Sequence, residues 1–120
     1  MRAKTRIAGV AAAMLLAAAP ATADFRKVQD KTEFTALIQD RELTRLGITI
    51  SVSPQGQIRG KAFGRNVTGG WSWQDGYFCR DLKWGQTDIG YNCQMVERNG
   101  RTLRFTSDRG AGDSADLSLR

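Results

Sequence analysis

Histidine is absent from all 120 residues. Its absence excludes a Ser–His–Asp triad or a Cys–His nucleophile and removes the commonest metal-binding imidazole. Cysteine is nearly as scarce. There are two, Cys79 and Cys93, with no Cys-x-x-Cys spacing, so neither a redox pair of that kind nor a four-ligand zinc site is expected. The longest apolar and small-residue run, residues 7–19, stops at Pro20. A spanning helix needs about 20 such residues, so no membrane span is expected. Nor is there a block of five or more like charges, the usual mark of a nucleic-acid or polyanion stripe.

What the chain does have begins at its first residue. Arg2, Lys4 and Arg6 precede the apolar run, and Ala21-Thr22-Ala23 puts small residues where a signal peptidase reads them. This is the pattern of a secretory signal peptide over 1–23, cleaved before Asp24, leaving one β-rich domain over 24–120. Cleavage would remove three of the 18 basic residues and none of the 12 acidic ones, so the net charge falls from +6 to +3. The remaining arginines are interspersed with acids, and no nucleic-acid partner is expected. The expected location is periplasmic or secreted. There two cysteines persist as a disulfide, which a domain this small needs more than a large one does.

The mature chain opens with a helix signal: Asp30 can cap, Glu33 follows three residues on, and Phe34, Leu37 and Ile38 share a face. The spacing predicts a short helix over 31–40. From Leu46 onward the period is two. Ile48, Ile50 and Val52 alternate with polar residues, and a three-residue loop Pro54-Gln55-Gly56 sets Val52 against Ile58, Ile50 against Gly60 and Ile48 against Ala62. Asp75-Gly76 is a favoured two-residue turn that opposes Trp73 to Phe78 and Trp71 to Arg80. A hairpin turning about Gln86 would bring Cys79 directly opposite Cys93, where a cross-strand bridge can form. Asn99-Gly100 predicts a further hairpin that sets Val96 against Leu103 and Gln94 against Phe105. Ala115, Leu117 and Leu119 alternate as a last strand. The fold class is therefore mainly β: an antiparallel meander of six or seven strands, forming a small barrel or curled sheet, with one short N-terminal helix.

Trp71, Trp73, Phe78 and Trp84 fall on one face as an aromatic stripe, with Arg80 placed for a cation–π contact. Trp71, Trp73, Arg80 and Trp84 are the candidate ligand-binding residues, since aromatics of this kind line pockets. The plainer reading is that the aromatics are the core. The loop Asp108-Arg109-Gly110-Ala111-Gly112-Asp113 fits a loose dinucleotide fingerprint only in its glycine spacing. It lacks the following helix and the unit of about 30 residues that the motif requires. Two carboxylates are also few for calcium, so a turn is the simpler account. Asp75, Asp81 and Asp88 lie near the aromatic region, but their residue types are those of turns and surfaces. No catalytic residue, metal ligand or cofactor is assigned.

Gly69-Gly70-Trp71-Ser72-Trp73, Gly76-Tyr77-Phe78-Cys79-Arg80, Asn92-Cys93-Gln94 and Leu103-Arg104-Phe105 together resemble small exported proteins of alphaproteobacteria, which share a Gly-x-Trp strand followed by two spaced cysteines. The resemblance covers most of the mature chain and implies export and a disulfide, but it brings no established activity. Some look-alikes are labelled dihydrodipicolinate reductase, an activity that needs a nucleotide-binding domain. No motif for one stands in this sequence, so no catalytic residue is carried over. The expected function is a non-catalytic module that binds a small ligand or an envelope protein, for instance as an inhibitor presenting loop 108–113. An enzyme of the labelled kind is the alternative.

Overall fold

Six tight connections between neighbouring strands, and one longer loop at 107–113, dictate the architecture. A computed structural model describes residues 24–120; the signal peptide read at 1–23 lies outside them. The strands are β1 (Arg26–Lys27), β2 (Glu42–Arg45), β3 (Ile48–Val52), β4 (Gln57–Ala62), β5 (Arg65–Gln74), β6 (Tyr77–Trp84), β7 (Thr87–Asn99), β8 (Thr102–Thr106) and β9 (Ser114–Leu119). One helix, α1 (Lys31–Ile38), precedes β2. From β2 to β9 each strand pairs antiparallel with the next. The ring closes where β2 meets β9, with Leu43 opposite Leu119. The result is an eight-stranded up-and-down barrel. An eight-stranded closure is just wide enough for side chains to fill or for one small ligand to enter.

The sheet thus has nine strands, where the sequence pattern gave six or seven. The two strands it missed are short. β1 has two residues and lies outside the ring, pairing Arg26 with Arg98 on the edge of β7. β2 has four residues and only one fully buried side chain, Leu43, so it shows no readable alternation.

Two hairpin registers are as the turn chemistry predicts: Val52 opposite Ile58, and Trp73 opposite Phe78. Asp75 and Gly76 both have positive φ, the backbone that a type I′ turn requires. Two others differ in detail. The β6–β7 connection is a two-residue turn at Gly85-Gln86, not one centred on Gln86. A bulge at Ile89, between the pairs Leu82–Gly90 and Lys83–Asp88, then restores the register that opposes Cys79 to Cys93. The β7–β8 turn is Gly100-Arg101 rather than Asn99-Gly100. Val96 therefore faces Phe105, and Arg98 faces Leu103. Gly100 takes positive φ at the first central position, which a II′ turn favours. The shift is two residues, so every side chain keeps its face.

Helix α1 ends two residues earlier than 31–40. Asp30 caps it by accepting from the Glu33 backbone N–H at 2.8 Å, and Asp40 turns the chain away at φ 58°. Phe34 and Ile38 are fully buried. Phe34 plugs one end of the barrel, with its ring centroid 5.2 Å from Trp71, 5.2 Å from Trp73 and 5.1 Å from Phe78. Helix α1 is the floor of the barrel.

Candidate functional site

Burial inside the barrel falls toward one end on most strands, although Val67 and Phe105 stay buried there and Trp73 is half-buried next to the floor. Next to the helical floor the inward residues Val52, Ile58, Phe78, Val96, Leu103 and Leu119 are buried. Toward the opposite end, inward residues on the same strands (Ile48, Ile50, Ala62, Leu82, Ala115 and Leu117) are only half-buried. The interior is therefore a cup, sealed by α1 and opening among the turns at 46–47, 63–64 and 85–86. An apolar cavity of about 130 Å³ lies within it, lined by Leu43, Ile50, Val52, Ile58, Phe78, Gln94, Phe105, Ala115 and Leu117. Larger hollows of about 600 Å³ run along the outer wall, but they are lined by mixed polar residues such as Glu42, Ser51 and Arg59. Small-molecule sites are concave and mostly apolar with a few placed polar groups, so the interior cavity is the better candidate.

The aromatic stripe faces inward but divides its duties. Trp71 is 8% exposed, and its indole N–H donates to the Ser53 carbonyl at 2.8 Å. Together with half-buried Trp73 it holds Phe34, so these two side chains belong to the packing at the floor. Trp84 lies at the mouth, donating to the Ala62 carbonyl at 2.8 Å. The predicted cation–π contact of Arg80 does not form. Instead Arg65 covers Trp84, its guanidinium carbon 4.2 Å from the ring centroid, and Lys31 approaches Trp71. Arg80 extends across β7, where Nη1 donates to the Gly90 carbonyl at 2.9 Å. Gly90 has no side chain to obstruct it. Burial pushes the Arg80 guanidinium down from its usual value, and the nearby Asp81 charge offsets this in part.

Cys79 and Cys93 are bridged, with Cα atoms 3.8 Å apart, on the outer wall of β6 and β7. The bridge therefore sits on the wall and not in the cavity. Asp75, Asp81 and Asp88 do not converge. Asp75 is in a turn, Asp81 is exposed on the outer face, and Asp88 accepts from the Gly90 backbone N–H. Among the described residues no group of three or more Cys, Asp or Glu could hold a metal ion. The 108–113 loop is tied down: the Asp108 backbone N–H donates to Asn92 Oδ1 at 2.9 Å, and Asn92 Nδ2 donates to Asp108 Oδ1 at 2.8 Å. All sheet pairings are antiparallel, so no βαβ unit of a dinucleotide-binding domain exists among the described residues. Also among them, no helix is long and apolar enough to cross a membrane.

The sequence reading missed Phe34 as the floor of the site and missed the far wall, made by β2, β3, β8 and β9. The only sequence signal for that wall was the run of inward residues Ile50, Phe105, Ala115 and Leu117 on strands distant in the chain. No protein-family model, curated protein or solved structure matches this chain.

Proposed function

We propose that this chain is an exported, non-catalytic binding module whose barrel admits an apolar group through its open end. The burial gradient carries this reading: one end is sealed by Phe34, while the other leaves apolar walls half-exposed around a cavity. The disulfide, the signal-like N-terminus and the resemblance to exported alphaproteobacterial proteins support the extracytoplasmic part. On expression in a Gram-negative host, the protein recovered from the periplasm is expected to begin at Asp24. Recovery of a chain that keeps Met1 would reject the processing. Titration of the labelled domain with benzyl alcohol or 1-hexanol is expected to give saturable amide shifts at Ile50, Phe105 and Leu117. Shifts that stay linear and scattered would reject the cavity as a site.

A second reading rests on the rim. Leu46 and Phe63, at adjacent turns around the mouth, are 94% and 67% exposed. Apolar tips this bare suit an envelope protein partner that inserts a side chain into the cup. Replacing both with Asp is then expected to abolish capture of such a partner while small alcohols still bind. The reductase activity of the look-alikes would require nucleotide binding, and a flat calorimetric titration with a nicotinamide dinucleotide would end it.

A further inference from the structure

We infer that the occupant of the cup is an organic anion, a carboxylate on a compact apolar tail, with Arg80 receiving the charged end. This rests on the cup reading and deepens it. One register step toward the mouth from Phe78 and Gln94, which line the cavity, stands the inward pair Arg80 and Asn92. Asn92 is engaged by Asp108, and Gln94 donates to the Ser107 hydroxyl. Arg80 has one hydrogen bond, to a neutral carbonyl, out of the five donors that a guanidinium carries.

No carboxylate pairs with it directly; the Asp81 charge acts on it only from the outer face of the same strand. The ion pair among the described residues is Arg104 with Asp116, on the outer wall. No inward register position on the eight barrel strands is Asp or Glu. The charged inward positions are Arg45, Arg65, Arg80 and Arg98. Of these, Arg98 is at the sealed end and donates to the Gly100 carbonyl, Arg65 covers Trp84, and the charge of Arg45 acts on Asp116. Of the four, Arg80 is the one that the register sets a single step toward the mouth from residues lining the cavity, although it does not itself line it. A partly desolvated cation beside an apolar space favours an anion with an apolar remainder, since the guanidinium fork matches a carboxylate with two parallel hydrogen bonds. The cavity limits that remainder. A space of ~150 Å³ holds one benzene, so about 130 Å³ suits a ring or a short branched chain.

The test titrates the domain with benzoate and hexanoate against benzyl alcohol and 1-hexanol, in the native protein and in Arg80→Gln, followed by amide shifts. In the native protein each carboxylate is expected to bind at least tenfold more tightly than its alcohol, with tail protons close to Ile50, Phe105 and Leu117. In Arg80→Gln the preference should vanish while alcohol binding persists, which also shows that the variant is folded. Arg65→Gln should retain the preference. Equal binding of acids and alcohols in the native protein would overturn the anion assignment and leave the cup. A preference that survives Arg80→Gln would equally overturn the role of Arg80. Binding of neither class would overturn both.

Discussion

Three tryptophans face the interior of this barrel, and their indole N–H groups meet different fates. Those of Trp71 and Trp84 donate to backbone carbonyls at 2.8 Å, whereas that of Trp73 is buried without a partner. A buried donor left unpaired costs more than a made hydrogen bond contributes. Replacing Trp73 with Phe removes an orphan, while replacing Trp71 removes one of the two hydrogen bonds that the Ser53 carbonyl accepts, the other coming from the Gly56 backbone N–H at 3.1 Å. Trp71→Phe is therefore expected to be the more destabilising by about 1 kcal/mol in urea unfolding; equal losses would show that ring volume alone matters. The outer wall offers a second residue-level test. The Arg104 guanidinium donates to both oxygens of Asp116 and holds that carboxyl below its ordinary value. A carboxyl with a lowered folded pKa stabilises the fold above its unfolded pKa and loses that contribution as pH falls through the folded value. The pair is exposed, so the gain is small. In a carboxyl titration by NMR, the Asp116 midpoint should rise in Arg104→Gln; an unchanged midpoint would show that the pair has no hold in solution.

Hairpins are the elements the sequence declared most openly, because a turn residue and its two flanking strands are neighbours in the chain. Asp75-Gly76 and Pro54-Gln55-Gly56 each supply the backbone their loop needs, and the opposed pairs follow from counting outward. The same counting placed Cys79 against Cys93, although the Gly85-Gln86 turn and the Ile89 bulge were hidden. A bulge changes the register without changing which residues are apolar, so hydrophobic pattern cannot reveal it. Asn99-Gly100 misled for a related reason. Both readings of the turn keep Val96 and Phe105 inward, and only backbone geometry separates them. The bridge ties β6 to β7 across a separation of 14 residues. Closing a loop of this size constrains the unfolded chain by about 3 kcal/mol. Cys79→Ala with Cys93→Ala is expected to lower stability by about that amount while leaving ligand affinity unchanged, since the bridge is on the outer wall. Loss of affinity in a still-folded double variant would place the bridge in the site.

Closure belongs to the whole molecule: the sequence pattern points to a small barrel or a curled sheet, but not to the strands that meet. The pairing of Leu43 with Leu119 joins residues 76 apart in the chain, and no local pattern announces it. Without that closure the aromatic stripe reads as one face of a sheet; with it, the stripe becomes half of an interior whose other half is β2, β3, β8 and β9. The cap and apolar spacing of the helix point to Phe34 packing on a sheet, but its place at one end of a closed interior depends on the same distant pairing. A single interior therefore serves two purposes: tightly packed near the helix it supplies stability, and loosely packed near the mouth it leaves room. These purposes separate at Ala115, a half-buried inward residue opposite Phe105 that lines the cavity. Leucine there occupies space now empty, and filling a cavity commonly stabilises by about 0.5–2 kcal/mol where no strain is introduced. Ala115→Leu is expected to unfold at or above the native urea midpoint while losing affinity for benzyl alcohol and benzoate alike. Its neighbour Ser114 faces outward and bonds Thr106, so Ser114→Ala should leave that affinity intact. If Ala115→Leu binds both probes as the native protein does, the interior is core throughout, and any partner must be met by the rim.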